Sequence, residues 1–198
     1  MAETISPAVH GGRCFSYWRA VVVHILGAAL AGAALGFVLG SAGSVAGAPW
    51  ESVAPLVVAA VAGLYFLREA TGLPVPIPHR RRQVPDWWRT FYSPAVASFL
   101  YGLGLGAGFF TYLSFGTLVA VAVVAGAGGS PLWGAALCAL FGAVRGLSVL
   151  AGARALDPDQ GALVVDRLQQ TGATRLPSAL NAGALLALMA AAATLVLF

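Results

Sequence analysis

An all-α polytopic membrane bundle of about five transmembrane helices, with its N-terminus in the cytoplasm, is what three features of this chain dictate: its apolarity, the length of its apolar blocks and the one-sided placement of its arginines. Of 198 residues, 59% are hydrophobic and 9% charged, and the mean hydropathy is +0.84. A soluble domain of that size needs far more charged surface. The apolar residues gather in blocks that match the roughly 20 residues needed to cross a hydrocarbon core about 30 Å thick. No stretch between them is long enough for a separate soluble domain. The expectation is one integral membrane domain over residues 1–198.

The first apolar block covers residues 20–40. Arg13 and Arg19 precede it and Ala46-Gly47-Ala48 follows, a loose cleavage-site pattern. The stretch is too long for a signal-peptide h-region and more blocks follow, so it reads as a retained first helix. A second block covers 53–67, and a loop at 68–93 comes next. That loop holds Leu73-Pro74-Val75-Pro76-Ile77-Pro78, then His79-Arg80-Arg81-Arg82, then Trp87 and Trp88 beside Arg89 and Tyr92. The aromatic group reads as a belt at the membrane interface.

The third block, 94–128, carries no charge and is longer than one helix needs. It is a tilted helix with extensions, a helix broken at its glycines, or two re-entrant halves. The fourth block covers 132–153 and the last 180–198. In the loop between them, 154–179, Asp157-Pro158 has the form of a helix N-cap followed by a first-turn proline. Leu163, Val164 and Leu168 then suggest the apolar face of a short interfacial helix.

With five spans, Arg13, Arg19, Arg68, Arg80, Arg81, Arg82, Arg89, Arg154, Arg167 and Arg175 share one side, and the other side carries only Glu51. Positively charged loops stay in the cytoplasm, which orients the chain. Counting the third block as a hairpin would move Arg154, Arg167 and Arg175 outside, so five spans are preferred. Every basic residue is arginine, and alanine and glycine abound, as in a GC-rich bacterial genome. The expected location is the bacterial inner membrane. The arginines sit in short loops, where lipid headgroups and not nucleic acid are their partners.

Small residues recur at helical spacing. Ala28, Gly32, Gly36 and Gly40 form one ridge, and Gly102/Gly106, Gly104/Gly108 and Gly142/Gly146 form others. In lipid such ridges let backbones approach closely. The glycine run at 102–106 also fits a loose dinucleotide fingerprint, but no strand precedes it, so no cofactor is expected.

Arg145 is the sharpest feature, a charge inside the fourth block. Burial there costs a few kcal/mol unless the side chain snorkels or finds a partner. At helical spacing Arg145 shares a small or polar stripe with Cys138, Gly142, Ser148 and Gly152, directed at the bundle interior. Two readings stand: an anion site or gating ion pair, or a packing arginine. Glu69 and Asp86 are the acidic residues nearest to it in depth. His24 heads the first ridge, as an interfacial residue or as a ligand. Thr111, Tyr112, Ser114 and Thr117 supply hydroxyls that line a cavity or bond back to helix carbonyls. Cys14 and Cys138 are too few and too far apart for a metal site. There are no paired carboxylates, no His/Cys cluster and no nucleophile with a base, so enzyme activity is not expected.

The run Ser93-Pro94-Ala95-Val96-Ala97-Ser98-Phe99-Leu100-Tyr101-Gly102-Leu103-Gly104-Leu105-Gly106-Ala107-Gly108-Phe109-Phe110-Thr111, with Phe141-Gly142-Ala143-Val144-Arg145-Gly146-Leu147, resembles the C-terminal half of the DsbD/CcdA-like membrane thiol-reductant carriers. The resemblance implies a glycine-rich carrier scaffold. Where that family has Thr-Pro-Cys, this chain has Thr111-Tyr112-Leu113, and its helix count is lower. Without two facing thiols, a dithiol relay is not implied. The expected function is a carrier of a small solute or of reducing equivalents on such a scaffold, with Arg145 and the region 108–117 lining the path. The alternative is a non-catalytic assembly or anchoring subunit. Its partners would be the bilayer and either another membrane protein or a second copy.

Overall fold

The computed structural model describes residues 14–49, 53–77, 87–108, 116–153, 158–172 and 174–197. Among them every regular element is helical. Helix α1 runs Cys14–Val45, 32 residues without a proline, or about 48 Å at ~1.5 Å per residue. Helix α2, Ala54–Thr71, has a proline in its first turn. It ends at Gly72, whose φ of 76° a side chain would resist and whose N–H donates to the Arg68 carbonyl. A single turn, α3 (Trp88–Phe91), precedes α4 (Pro94–Gly106). Then come α5 (Thr117–Ala127), α6 (Pro131–Gly146), a 3-10 helix (Leu147–Gly152), α7 (Pro158–Gly172) and α8 (Leu176–Leu197).

Among the described residues four helices are long and apolar enough to cross a membrane: Phe15–Val45, Ala54–Thr71, Pro131–Gly152 and Leu176–Leu195. The long third block is not one helix but two. Helix α4 has 13 residues and α5 has 11, or about 20 and 17 Å, each short of a hydrocarbon core. The break has a cause in the chain. Gly102, Gly104 and Gly106 fall in the last turns of α4, and glycine costs a helix about 1 kcal/mol relative to alanine. Gly108 then turns left-handed, with φ 71°, which leaves the helical path.

The chain packs as two compact units. One takes α1 up to Gly32, α3, α4, α6 from Ala139, the 3-10 helix and α7. In it α4 runs parallel to α1, with Gly102 against His24 and Gly106 against Ala28. Helix α6 runs antiparallel, with Gly142 against Ala28 and Gly146 against Ile25. Tyr17, Ala20, Val21 and Val149 form a buried cluster at one end. Ala97 and Tyr101 form another against Trp88. Trp87 touches Trp88, Phe91 and Tyr92 ring to ring, so the aromatic group folds on itself. Helix α7 contacts the 3-10 helix. Val164 is half-buried there, whereas Leu163 and Leu168 are exposed, so these three do not form one covered face. Asp157 lies outside the described residues.

The other unit takes α1 from Ala33, α2 and the segment after it, α5, α6 up to Cys138, and α8. Here α2 and α8 run antiparallel, with Val58 clustered with Ala192, and Tyr65 with Leu185. Helix α5 adds Ala120 and Ala127 to the same clusters. The proline-rich segment folds back on α2. The Tyr65 hydroxyl donates to the Pro76 carbonyl at 3.0 Å and Arg68 Nε to the Val75 carbonyl at 3.1 Å, and Ile77 is buried with Tyr65 and Leu185.

Candidate functional site

Residues spaced three and four apart on α1 lie on one face, and in this helix the small ones are buried: Ala20, Gly27, Ala28, Gly32, Gly36, Gly40 and Gly43. In the first unit this face receives two helices at one point, the Ala28 carbonyl. A Cβ built on Gly106 of α4 would lie 2.0 Å from that oxygen, and one on Gly142 of α6 would lie 2.3 Å from it. Any side chain at either position drives backbone from backbone. One turn earlier, a Cβ on Gly102 would lie 2.1 Å from the His24 carbonyl. Glycine here sets the interhelical distance.

That close approach places His24 against α4. Its side chain is 0% exposed, and Nδ1 lies 3.1 Å from the Ser98 carbonyl. The carbonyl can only accept, so Nδ1 carries the proton. Nε2 is buried and has no hydrogen-bond partner among the described residues. Ser98 is itself buried, and its hydroxyl bonds back to the Pro94 carbonyl at 2.7 Å. This is the back-bonding that serine commonly makes inside helices. The sequence left His24 between an interfacial residue and a ligand. In the structure it is an interior residue wedged between α1 and α4.

Arg145 belongs to the same unit, half-buried, between Gly142 and Gly146 on α6. Those glycines face Ala28 and Ile25, so Arg145 is level with His24 and Ile25, roughly 60° to one side of the contact line. Ser148 does not join it in the interior. A step of three residues falls about 60° short of a full turn, so a second step carries Ser148 further off the contact line. Ser148 is exposed and Val149 takes the buried position. Cys138 is 3% exposed but belongs to the other unit, where it packs against Gly36. The stripe read from the sequence as one surface is therefore divided between two packing units. Glu69 is likewise in the second unit, ion-paired through Oε1 to Arg68 Nη1. Asp86 lies outside the described residues, as do Thr111, Tyr112 and Ser114. Thr117 opens α5, half-buried.

In the second unit the ridge on α1 meets α6 reciprocally. A Cβ on Gly36 would lie 1.9 Å from the Gly134 carbonyl, and one on Gly134 would lie 2.3 Å from the Gly36 carbonyl. Gly40 meets Ser130 in the same way. Gly32, Gly104 and Gly108 are also buried. Two polar residues that the sequence reading passed over are buried as well: Ser98, and Asn181 on α8 at 8% exposed. The Asn181 Nδ2 has no partner among the described residues. Both were legible only as isolated polar residues in apolar blocks. Among the described residues no group of His, Cys, Asp or Glu could hold a metal ion.

Comparison with known proteins gives a consistent set of relatives. The chain is 35% identical over 148 residues to the methylamine utilization protein MauF of Paracoccus versutus, which covers 73% of this chain and 54% of that protein. It is 33% identical over 147 residues to MauF of Paracoccus denitrificans, covering 73% and 53%. MauF of Methylorubrum extorquens is 34% identical over 110 residues, covering 55% and 39%. The chain thus spans about half the length of the two Paracoccus relatives it matches. No family model and no solved structure matches it.

Proposed function

We propose that this chain is an integral membrane accessory protein of methylamine utilization, acting as a non-catalytic assembly or anchoring subunit of a membrane protein complex. The observation that carries the reading is its similarity to MauF proteins of two Paracoccus species across 73% of its length. The packing agrees with it. Within each unit helices meet backbone to backbone, at Ala28 in the first and at Gly36–Gly134 in the second, close packing that suits a structural role in the bilayer. On this reading the chain sits in the bacterial inner membrane with its first residues in the cytoplasm, an orientation that the one-sided arginine distribution supports. Purification in mild detergent from cells grown on methylamine tests this reading. A stoichiometric partner, absent from cells grown without methylamine, is the expected result. The chain eluting alone under both conditions would contradict it.

A carrier on a DsbD-like scaffold is the second reading, and one feature favours it: Arg145, a charge half-buried within a helix of membrane-spanning length. Reconstituted proteoliposomes separate the two. Solute flux abolished by Arg145→Ala in a folded protein supports the carrier, and absence of flux with a bound partner supports the subunit.

A further inference from the structure

We propose that the start of α8, in the second unit, is a headgroup site that takes the phosphate of an anionic phospholipid, held by Arg175, Ser178 and Asn181. These residues follow one another at steps of three, from just before the helix into its second turn. They run from the surface inwards: Arg175 is exposed, Ser178 half-buried and Asn181 8% exposed. The Asn181 Nδ2 is buried and has no hydrogen-bond partner among the described residues. Neither the Arg175 guanidinium nor the Ser178 hydroxyl has a partner among them either. The Ala179 N–H bonds back to the Arg175 carbonyl, but the Ser178 N–H, in the opening turn, has no such acceptor. Helical side chains lean towards the N-terminus, so the Asn181 amide is aimed at the turn that holds Ser178, the positive end of the helix.

The donor set decides the ligand. A carboxamide N–H, a guanidinium and a backbone N–H all donate, so the partner must supply acceptor oxygens, and negative charge suits both the arginine and the helix end. Helix α8 carries no acidic residue. The acidic side chain at this end of the unit is Glu69: with Tyr65 and Leu185 packed in antiparallel helices, Glu69 and Asn181 each lie one turn further towards the same end. Its carboxylate is already ion-paired to Arg68, so it does not oppose an anion with a free charge. The stretch Leu176–Leu195 is of membrane-spanning length, so its start lies at the depth where a bilayer presents its phosphates. Leu176 and Leu180 are exposed beside the donors and offer apolar surface to acyl chains. Free phosphate would share the polar contacts and lack the apolar ones.

Asn181 is the only asparagine of the chain, so nitrogen-15 asparagine labelling gives a single side-chain amide signal from the unsubstituted protein. In the detergent-purified full chain that signal is expected to move on adding phosphatidylglycerol and to stay in place on adding dioleoylglycerol, which has the acyl chains without the phosphate. Inorganic phosphate, without the chains, is expected to require at least about tenfold higher concentration for the same movement. Arg175→Gln, at an exposed position, is expected to weaken phosphatidylglycerol binding about tenfold, as for one lost charge-assisted contact, with Arg175→Lys retaining part of it. An Asn181 signal that phosphatidylglycerol leaves unmoved, or that dioleoylglycerol moves equally, would overturn the proposal. Inorganic phosphate acting at the same concentration as the lipid would overturn it too, assigning the site to the free ion.

Discussion

Two helix contacts in this molecule are built on opposite principles. Where α1 meets α4, the contact is backbone on backbone: Gly102 against the His24 carbonyl and Gly106 against the Ala28 carbonyl. Where α2 meets α8, side chains fill the space: Tyr65 with Leu185, Val58 with Ala192, and Ile77 folded in from the following segment. In lipid, apolar burial gives helices little reason to associate, so dispersion across close surfaces and a few hydrogen bonds must do so. The glycine contact gains its dispersion by proximity and tolerates no added atom. The side-chain contact gains it by interdigitation and tolerates small adjustments.

The sharpest way to break this contrast is to add one carbon to the first contact and to remove side-chain atoms from the second. Gly102→Ala puts a Cβ 2.1 Å from a backbone oxygen that has nowhere to retreat. It is expected to destabilise by about 3 kcal/mol, read as a lowered melting midpoint in detergent. Leu185, 0% exposed, tests the other contact by removal. Leu185→Ala is expected to cost about 2 kcal/mol, the lower end for a buried leucine because neighbouring side chains can partly collapse. Tyr65→Phe deletes only the hydroxyl that donates to Pro76 and is expected to cost about 1 kcal/mol. It should also increase hydrogen exchange at the amide of Ile77, which packs beside it. Gly183→Ala closes the series. A Cβ there meets nothing within 4 Å, so the expected change is a gain of about 0.5–1 kcal/mol from improved helix propensity.

The same contrast explains what could be read from the chain. The membrane class and the long helices were legible because apolar blocks of spanning length have few alternatives. The glycine ridges were legible as ridges, since four-residue spacing survives in any α-helix. Their partners were not, because every ridge looks alike until register is known. The third block announced itself only as surplus length, and its division into α4 and α5 followed from a glycine run that sequence alone also allowed as a packing face. His24 shows the limit most clearly. At the head of a ridge it looked as suited to the interface as to the interior, and its burial depends on Gly102 letting α4 come close enough to cover it. Ser148 failed for a geometric reason, because steps of three residues drift off a contact line that steps of seven maintain.

The reading of the chain as an accessory membrane protein of methylamine utilization is tested most directly by growth. Deletion of its gene is expected to abolish growth on methylamine as nitrogen source while leaving growth on ammonium unchanged. A plasmid copy carrying Gly183→Ala is expected to restore growth, and one carrying Gly102→Ala to restore it poorly. Undiminished growth of the deletion strain on methylamine would contradict the account.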